Sequence, residues 1–240
     1  MHKGAGAADG GAALYRRALG GYRSRMFILD LSHPLSPGMP VYPGTEPPGL
    51  DQATTIEADG FAEKLLRLYS HTGTHVDAPA HMIAGGLTLD ILGVEAFAGS
   101  ACVVDAPGPG KITLGALLAR SDEIVKADFV LFRTRWSRYW GSPRYFVDFP
   151  VLDQEAALWL AGRGLKGVGF DAISADPVGS AGFENHMALF RAGMVIVENL
   201  RGLEELTPGD FIFSCMPLAI AGGDGSPVRA VAIYQQSSRH

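Results

Sequence analysis

Residues 71–81 read HTGTHVDAPAH, and the rest of the chain has to be organised around them. Three of the seven histidines fall in these eleven positions, with Asp77 between the second and the third. Neutral imidazole and carboxylate are ligand types that hold zinc, manganese or iron. A helix is disfavoured here: Gly73 breaks helical propensity, and Pro79 restricts Ala78 and cannot continue a helix. The spacing of His71 and His75 is therefore not that of a helical metalloprotease motif, which would also place Glu beside the first histidine. On an extended segment His75 and Asp77 point to one face, and a turn at Gly73 lets His71 join them. The stretch predicts three convergent ligands, His71, His75 and Asp77, with His81 close by and outside that set.

Composition excludes several classes. The chain has 240 residues, 47% of them hydrophobic and 19% charged, which suits an ordinary globular domain with a sizeable core. Its formal net charge of -5 offers no basic field for nucleic acid or an anionic membrane. No apolar run approaches the length of about 20 residues that spans a bilayer. Cys102 and Cys215 lie far apart in apolar runs, so neither a disulfide framework nor a CxxC motif is expected. A reducing, cytoplasmic setting is the expectation. Residues 1–25 are rich in Gly and Ala and lack the unbroken apolar stretch of a secretory signal. They are expected to be a weakly structured extension, with a marginal helix over 12–19, ahead of one domain spanning 26–240.

Along that domain, MFILDL (26–31) predicts a first strand, ended by His33-Pro34. The following PLSPGMPVYPGTEPPG has too many prolines for a helix or a central strand, and too many apolar residues for a loose linker. Tyr42 within it suits a pocket wall and a surface aromatic over the core equally well. Strands are expected at 61–69, 100–106, 128–132, 167–170, 194–197, 211–216 and 228–234. Helices are expected from Thr113 to Arg120, with Thr113 as N-cap, from Asp153 to Ala161, and from Glu184 to Ala192. GGDGSP reads as a turn. Strands alternating with helices through the second half indicate an α/β fold, with antiparallel strands at both ends.

His186 opens the last predicted helix, and Glu198 follows the apolar run MVIV. A carboxylate at the end of a buried strand needs a partner, and Arg201, a helix N-terminus or a metal ion would serve. Asp171, Ser174 and Asp176 read as loop-stabilising. Arg133 and Arg135 read as ion pairs holding a loop, and Ser226 and Arg229 as parts of a structural turn.

Taken together, HTGTHVDAPAH, the VYPG loop, FRTRW (132–136), GFDAISADP (169–177), HMALFRAGMVIVENL (186–200) and GDGSPVRA (223–230) resemble the metal-dependent cyclase family. That family includes bacterial kynurenine formamidases and isatin hydrolases. The resemblance covers roughly residues 26–235 in the family's order and spacing. It implies a swivelling β/β/α domain, with a mixed sheet and flanking helices. It also implies a zinc-dependent hydrolase of aryl formamides or small cyclic amides, assembled as a homodimer or homotetramer.

Residue by residue, the resemblance places a first metal ion on His71, His75 and Asp77. Asp77 bridges to a second ion bound by His186, and Glu198 bridges both. His81 takes the acid/base position and Tyr42 lines the substrate pocket. Isatin hydrolases use one manganese ion, so Mn2+ stands as the alternative to two Zn2+. The formamidases usually carry Trp or Phe before the PG pair and Asp after it, where this chain has Tyr42 and Thr45. The small-molecule substrate is therefore left open. A cyclase, lactonase or dehydratase, or a metal-binding member without catalysis, remain the alternatives.

Overall fold

The computed structural model describes residues 26–207 and 209–235; the stretch 1–25, with its expected helix, lies outside the described residues. Ile28–Tyr234 form one compact unit. Its strands, with those that run one or two residues past it, are β1 (Met26–Asp30), β2 (Gly49–Thr54), β3 (Glu63–Arg67), β4 (His75–Asp77), β5 (Ala98–Asp105), β6 (Lys111–Ile112), β7 (Phe129–Arg133), β8 (Val151–Leu152), β9 (Gly167–Phe170), β10 (Val195–Glu198), β11 (Ile212–Ser214), β12 (Gly225–Pro227) and β13 (Val231–Gln235). Nine of these form one mixed sheet in the order β1-β13-β11-β5-β7-β9-β10-β4-β12. The fold is α/β, as the alternation of elements predicts.

At the centre, β5, β7, β9 and β10 run parallel. The strands β7, β9 and β10 carry the near-continuous apolar runs FVLF, GVGF and VIV, as expected of parallel strands covered on both faces. The flanking pairs β10·β4, β4·β12, β5·β11 and β11·β13 are antiparallel. Two cores result. Val130, Phe132, Val168 and Ile196 pack on one face with Leu160 and Phe190, whereas Phe129, Leu131, Val195, Val197 and Val76 pack on the other. The alternation is the period-two geometry of a strand.

The helices are α1 (Ile56–Asp59), α2 (Leu114–Leu118), α3 (Ser121–Ile124), α4 (Gln154–Ala161) and α5 (Glu184–Arg191). Thr113 and Asp153 cap α2 and α4, their side chains accepting from the amides of Ala116 and Ala156. No side chain of its own caps α5. The Asp176 carboxylate accepts from Asn185 N–H and His186 N–H instead, placing negative charge at the positive end of the helix. Among the described residues no helix is long and apolar enough to cross a membrane.

Two expectations differ from the structure. The strand predicted at 61–69 is shorter and does not enter the main sheet. It pairs with β2 as a separate hairpin, and every residue of β3 is exposed. GGDGSP is not simply a turn, because Gly225–Pro227 form β12 against β4. The reason is positional: β4 leaves one edge unpaired, and Pro227, which has no N–H to donate, is tolerated on an outermost strand.

Candidate metal centre

The register of three short strands builds the site. Val76 points into one core, so His75 and Asp77 on either side of it must face the other way. Across the ladder, β10 sets Glu198 opposite His75, and β12 sets Gly225 opposite Asp77. Glu198 shares the face of Ile196, which α5 covers. That helix carries His186 onto the same face. Gly73 adopts φ 67°, a conformation glycine enters without penalty, and this bends the chain so that His71 reaches Asp77. Gly225 allows the close approach, since a side chain there would stand 2.5 Å from the His71 ring.

Each of these imidazoles turns one nitrogen to the carboxylates and rests the other on a fixed partner. His71 Nδ1 lies 2.5 Å from Asp77 Oδ1, and its Nε2 lies 3.0 Å from Asp224 Oδ2. His75 Nε2 lies 3.1 Å from Asp77 and 3.5 Å from Glu198, while its Nδ1 donates to Gly73 O at 2.8 Å. His186 Nε2 lies 3.3 Å from Glu198, and its Nδ1 lies 2.6 Å from Asp176. Ligand histidines are oriented in this way. Among the described residues three sets of ligand atoms gather within 4.8 Å: His71–His75–Asp77 and Asp77–His186–Glu198, which share Asp77, and His71–His81–Asp224 beside them.

The electrostatics call for a cation. Burial alone would lower the His71 and His186 pKa values. The Asp77 and Asp224 carboxylates instead raise His71 to about 9, and Asp176 and Glu198 raise His186 to about 10. Burial works against ionisation of Asp77 too, yet the imidazoles around it hold its carboxyl well below the usual range. Buried carboxylates that draw protons onto His71, His75 and His186 offer the same negative field to a divalent ion. The donor set, imidazole nitrogen and carboxylate oxygen, suits zinc or manganese. The residues fit a metal.

His81 stands apart. It belongs to neither Asp77 set; its ring centre is 3.8 Å from that of His71, and its Nδ1 is 3.6 Å from Asp224. Burial, with the neighbouring imidazoles, lowers its pKa despite Asp77. The site opens into a cavity of about 500 Å³, floored by His75, His186 and Glu198 and walled by Val41, Tyr42, Tyr69, Met82, Ile173 and Phe183. Tyr42 is thus a pocket wall, and it also packs against the aromatic cluster of Trp136 and Tyr145.

Several sequence assignments change or become specific. Arg201 is not the partner of Glu198: it pairs with Asp30, and Glu198 accepts from Ala175 N–H at 2.8 Å beside His75 and His186. Asp176, read as loop-stabilising, holds His186 directly. Asp171 keeps the loop role, accepting from Thr134 and Arg135 amides. Arg133 pairs with Asp105 and Arg229 with Asp30. His33 lies outside the site, stacked on Trp140 at 3.8 Å. His2 and His240 are outside the described residues. Asp224 and Asn199 were missed. A lone acid between glycines reads as turn chemistry, and an asparagine after Glu198 carries no spacing signal.

Imidazoles and carboxylates converging beneath an apolar pocket on a mixed α/β sheet define a metal-centre protein of the hydrolase type. Comparison places it further: the Cyclase family model, described as "putative cyclase", matches residues 29–177, and the chain belongs to this family. It is 34% identical over 207 residues to the kynurenine formamidase of Bordetella pertussis, covering 85% of this chain and 96% of that one. With the kynurenine formamidase of Salinibacter ruber it shares 37% over 213 residues, covering 86% and 97%. Isatin hydrolase A from Ralstonia solanacearum superposes with a TM-score of 0.76 at 26% identity, covering 97% of this chain and 99% of that one. A structure described as a potential metal-dependent hydrolase with cyclase activity superposes with a TM-score of 0.69 at 30% identity, covering 87% and 98%.

Proposed function

We propose that this chain is a metal-dependent hydrolase cleaving the C–N bond of an aryl formamide or a small cyclic amide. The observation that carries the reading is the cavity floored by the histidine and carboxylate cluster, with His81 on its wall outside the two sets that share Asp77. Relatives named kynurenine formamidase, matched over most of both chains, support it.

His71, His75 and Asp77 would hold one ion, and Asp77, His186 and Glu198 a second, with Zn2+ as the metal and Mn2+ as the alternative. A divalent cation there supplies Lewis acidity, polarising a carbonyl and lowering the pKa of water to about 7. Two such ions against Asp77 and Glu198 would leave a surplus of positive charge at the centre, whereas one would leave it formally neutral. His81 is the acid/base group. Its Nδ1 faces Asp224, so Nε2 is the nitrogen that takes a proton from the attacking water and returns it to the departing nitrogen. The apolar walls, Tyr42 among them, hold the aryl group and keep bulk water out.

The test is to strip the protein of metal and titrate it with zinc or manganese. Turnover of N-formylkynurenine, isatin and simple lactones is then followed. Amide hydrolysis that saturates at two equivalents is expected. Full activity at one equivalent rejects the second ion, and turnover of lactones alone moves the chain to the ester side of the family. The expected setting is cytoplasmic, supported by two buried, unpaired cysteines. The expected assembly is a homodimer or homotetramer of one catalytic domain. An exposed hairpin carrying Phe61, Leu65 and Leu66 supports self-association.

A further inference from the structure

Asn199 is the next residue after Glu198, and it is unusual in three respects. It is buried at 2% exposure, it adopts φ 58° without being glycine, and all its polar groups are engaged. Its backbone N–H donates to Ala172 O at 2.9 Å, and its carbonyl accepts from the Thr74 hydroxyl at 2.6 Å. Its side-chain amide lies between two elements. Oδ1 accepts from the Tyr145 hydroxyl at 2.8 Å, and Nδ2 donates to Gly73 O at 2.8 Å. Asparagine tolerates the left-handed conformation better than most residues, which accounts for the backbone but not for the amide contacts.

We propose that Asn199 is a positioning residue that sets the orientation of His75 by holding the Gly73 carbonyl on which its Nδ1–H rests. A carbonyl oxygen can only accept. Gly73 O therefore takes one hydrogen from Asn199 Nδ2 and one from His75 Nδ1, using both lone pairs. With its proton committed to that oxygen, the imidazole leaves Nε2 facing Asp77 and Glu198. The amide cannot turn over, because the Tyr145 hydroxyl donates to Oδ1 and an inverted amide would set its carbonyl oxygen against Gly73 O. Tyr145 is itself fully buried, and its carbonyl accepts from Trp136 Nε1 at 3.0 Å. An aromatic cluster outside the site thus holds one ligand through a chain of hydrogen bonds: Tyr145, Asn199, Gly73 O, His75. The other two ligand imidazoles lean on carboxylates, Asp224 and Asp176. His75 alone of the three rests on a neutral backbone oxygen, so its orientation depends on what else that oxygen holds.

The inference rests on the metal reading above, and the test separates the two. Asn199→Gly keeps the backbone conformation and removes the amide. Zinc affinity is read by competition with a chromogenic chelator, alongside the unfolding temperature of the metal-free protein. Asn199→Gly is expected to weaken zinc by about 10-fold, the low end of what losing a direct partner of the ligand costs, while the protein still folds, unfolding at a lower temperature because the Tyr145 hydroxyl loses its acceptor. Tyr145→Phe is expected to weaken zinc in the same direction by less. In zinc-loaded protein the slowly exchanging His75 Nδ1–H resonance should be lost or broadened in Asn199→Gly. Zinc affinity and that resonance unchanged in a folded Asn199→Gly overturn the inference. If that variant does not fold, an unchanged affinity in Tyr145→Phe overturns it equally. Failure of the wild-type protein to take up zinc overturns the metal reading itself, and this inference with it.

Discussion

The trio β10·β4·β12 and the hairpin β2·β3 are both built from antiparallel pairs, yet they solve opposite problems. In β4 and β10 every residue is buried, polar ones included; His75 meets Glu198 across the ladder, Glu198 meets His186 from α5, and Asp77 meets His71 from the loop before β4. In β3 every residue is exposed, and Leu65 and Leu66 sit at 55% and 53% exposure with Phe61 at 57%. Covering what remains exposed of each leucine would contribute about 1–1.5 kcal/mol, a gain the hairpin forgoes in the isolated chain. The trio has its charges met within the fold, whereas the hairpin leaves its leucines uncovered in the isolated chain. The difference teaches which part of the molecule carries chemistry and which is suited to carry assembly.

The largest break in this comparison is expected from Asp77→Ala. It removes the carboxylate that the two proposed ion sites share, and metal content measured by elemental analysis should fall to background with loss of turnover. His81→Ala should act on the same region without emptying it, lowering turnover by roughly a hundredfold while bound metal stays at the wild-type level. Loss of metal in that variant would make His81 a ligand. A double change of Leu65 and Leu66 to Glu should do the reverse. Sedimentation should shift from assembly to single chain, with turnover and metal content near wild type. Unchanged sedimentation would remove the hairpin from the interface.

The smallest effect is a matter of sign. Burial pushes Asp171 up from 3.8 to about 6 against the hydrogen bonds from Thr134 and Arg135. Burial and the nearby Arg201 push His33 down from 6.5 to about 4. Asp171 contributes stability that is full below 3.8 and lost as pH rises through about 6. His33 contributes stability that is full above 6.5 and lost as pH falls through about 4. Denaturation of metal-free protein across this range should therefore show Asp171→Asn steepening the gain in stability with rising pH, and His33→Phe flattening it.

What was legible in the sequence follows from how local each signal is. The histidine stretch was readable because glycine and proline rule out a helix within a few residues, leaving period two to align His75 with Asp77. The parallel strands were readable as apolar runs, and α4 by Asp153 ahead of it and the glycines behind. The pairing of β2 with β3 was not, because GLDQAT has no alternation and gains its strand character from its neighbour. Nor was β12, since Gly-Ser-Pro has turn composition and becomes a strand only where β4 offers an unpaired edge. Asp176, Asn199 and Asp224 each matter through a partner that only the folded chain brings near. His71 and Asp224 are 153 positions apart.

That separation bears on how the protein is made. Since β12 and Asp224 close the outer side of the centre, a chain still being synthesised holds His71, His75 and Asp77 without that wall until residues 224–227 have left the ribosome. Long-range pairing of this kind forms late. The outer wall of the centre therefore waits on a contact between segments 153 positions apart, whereas His71, His75 and Asp77 are neighbours in the chain from the start.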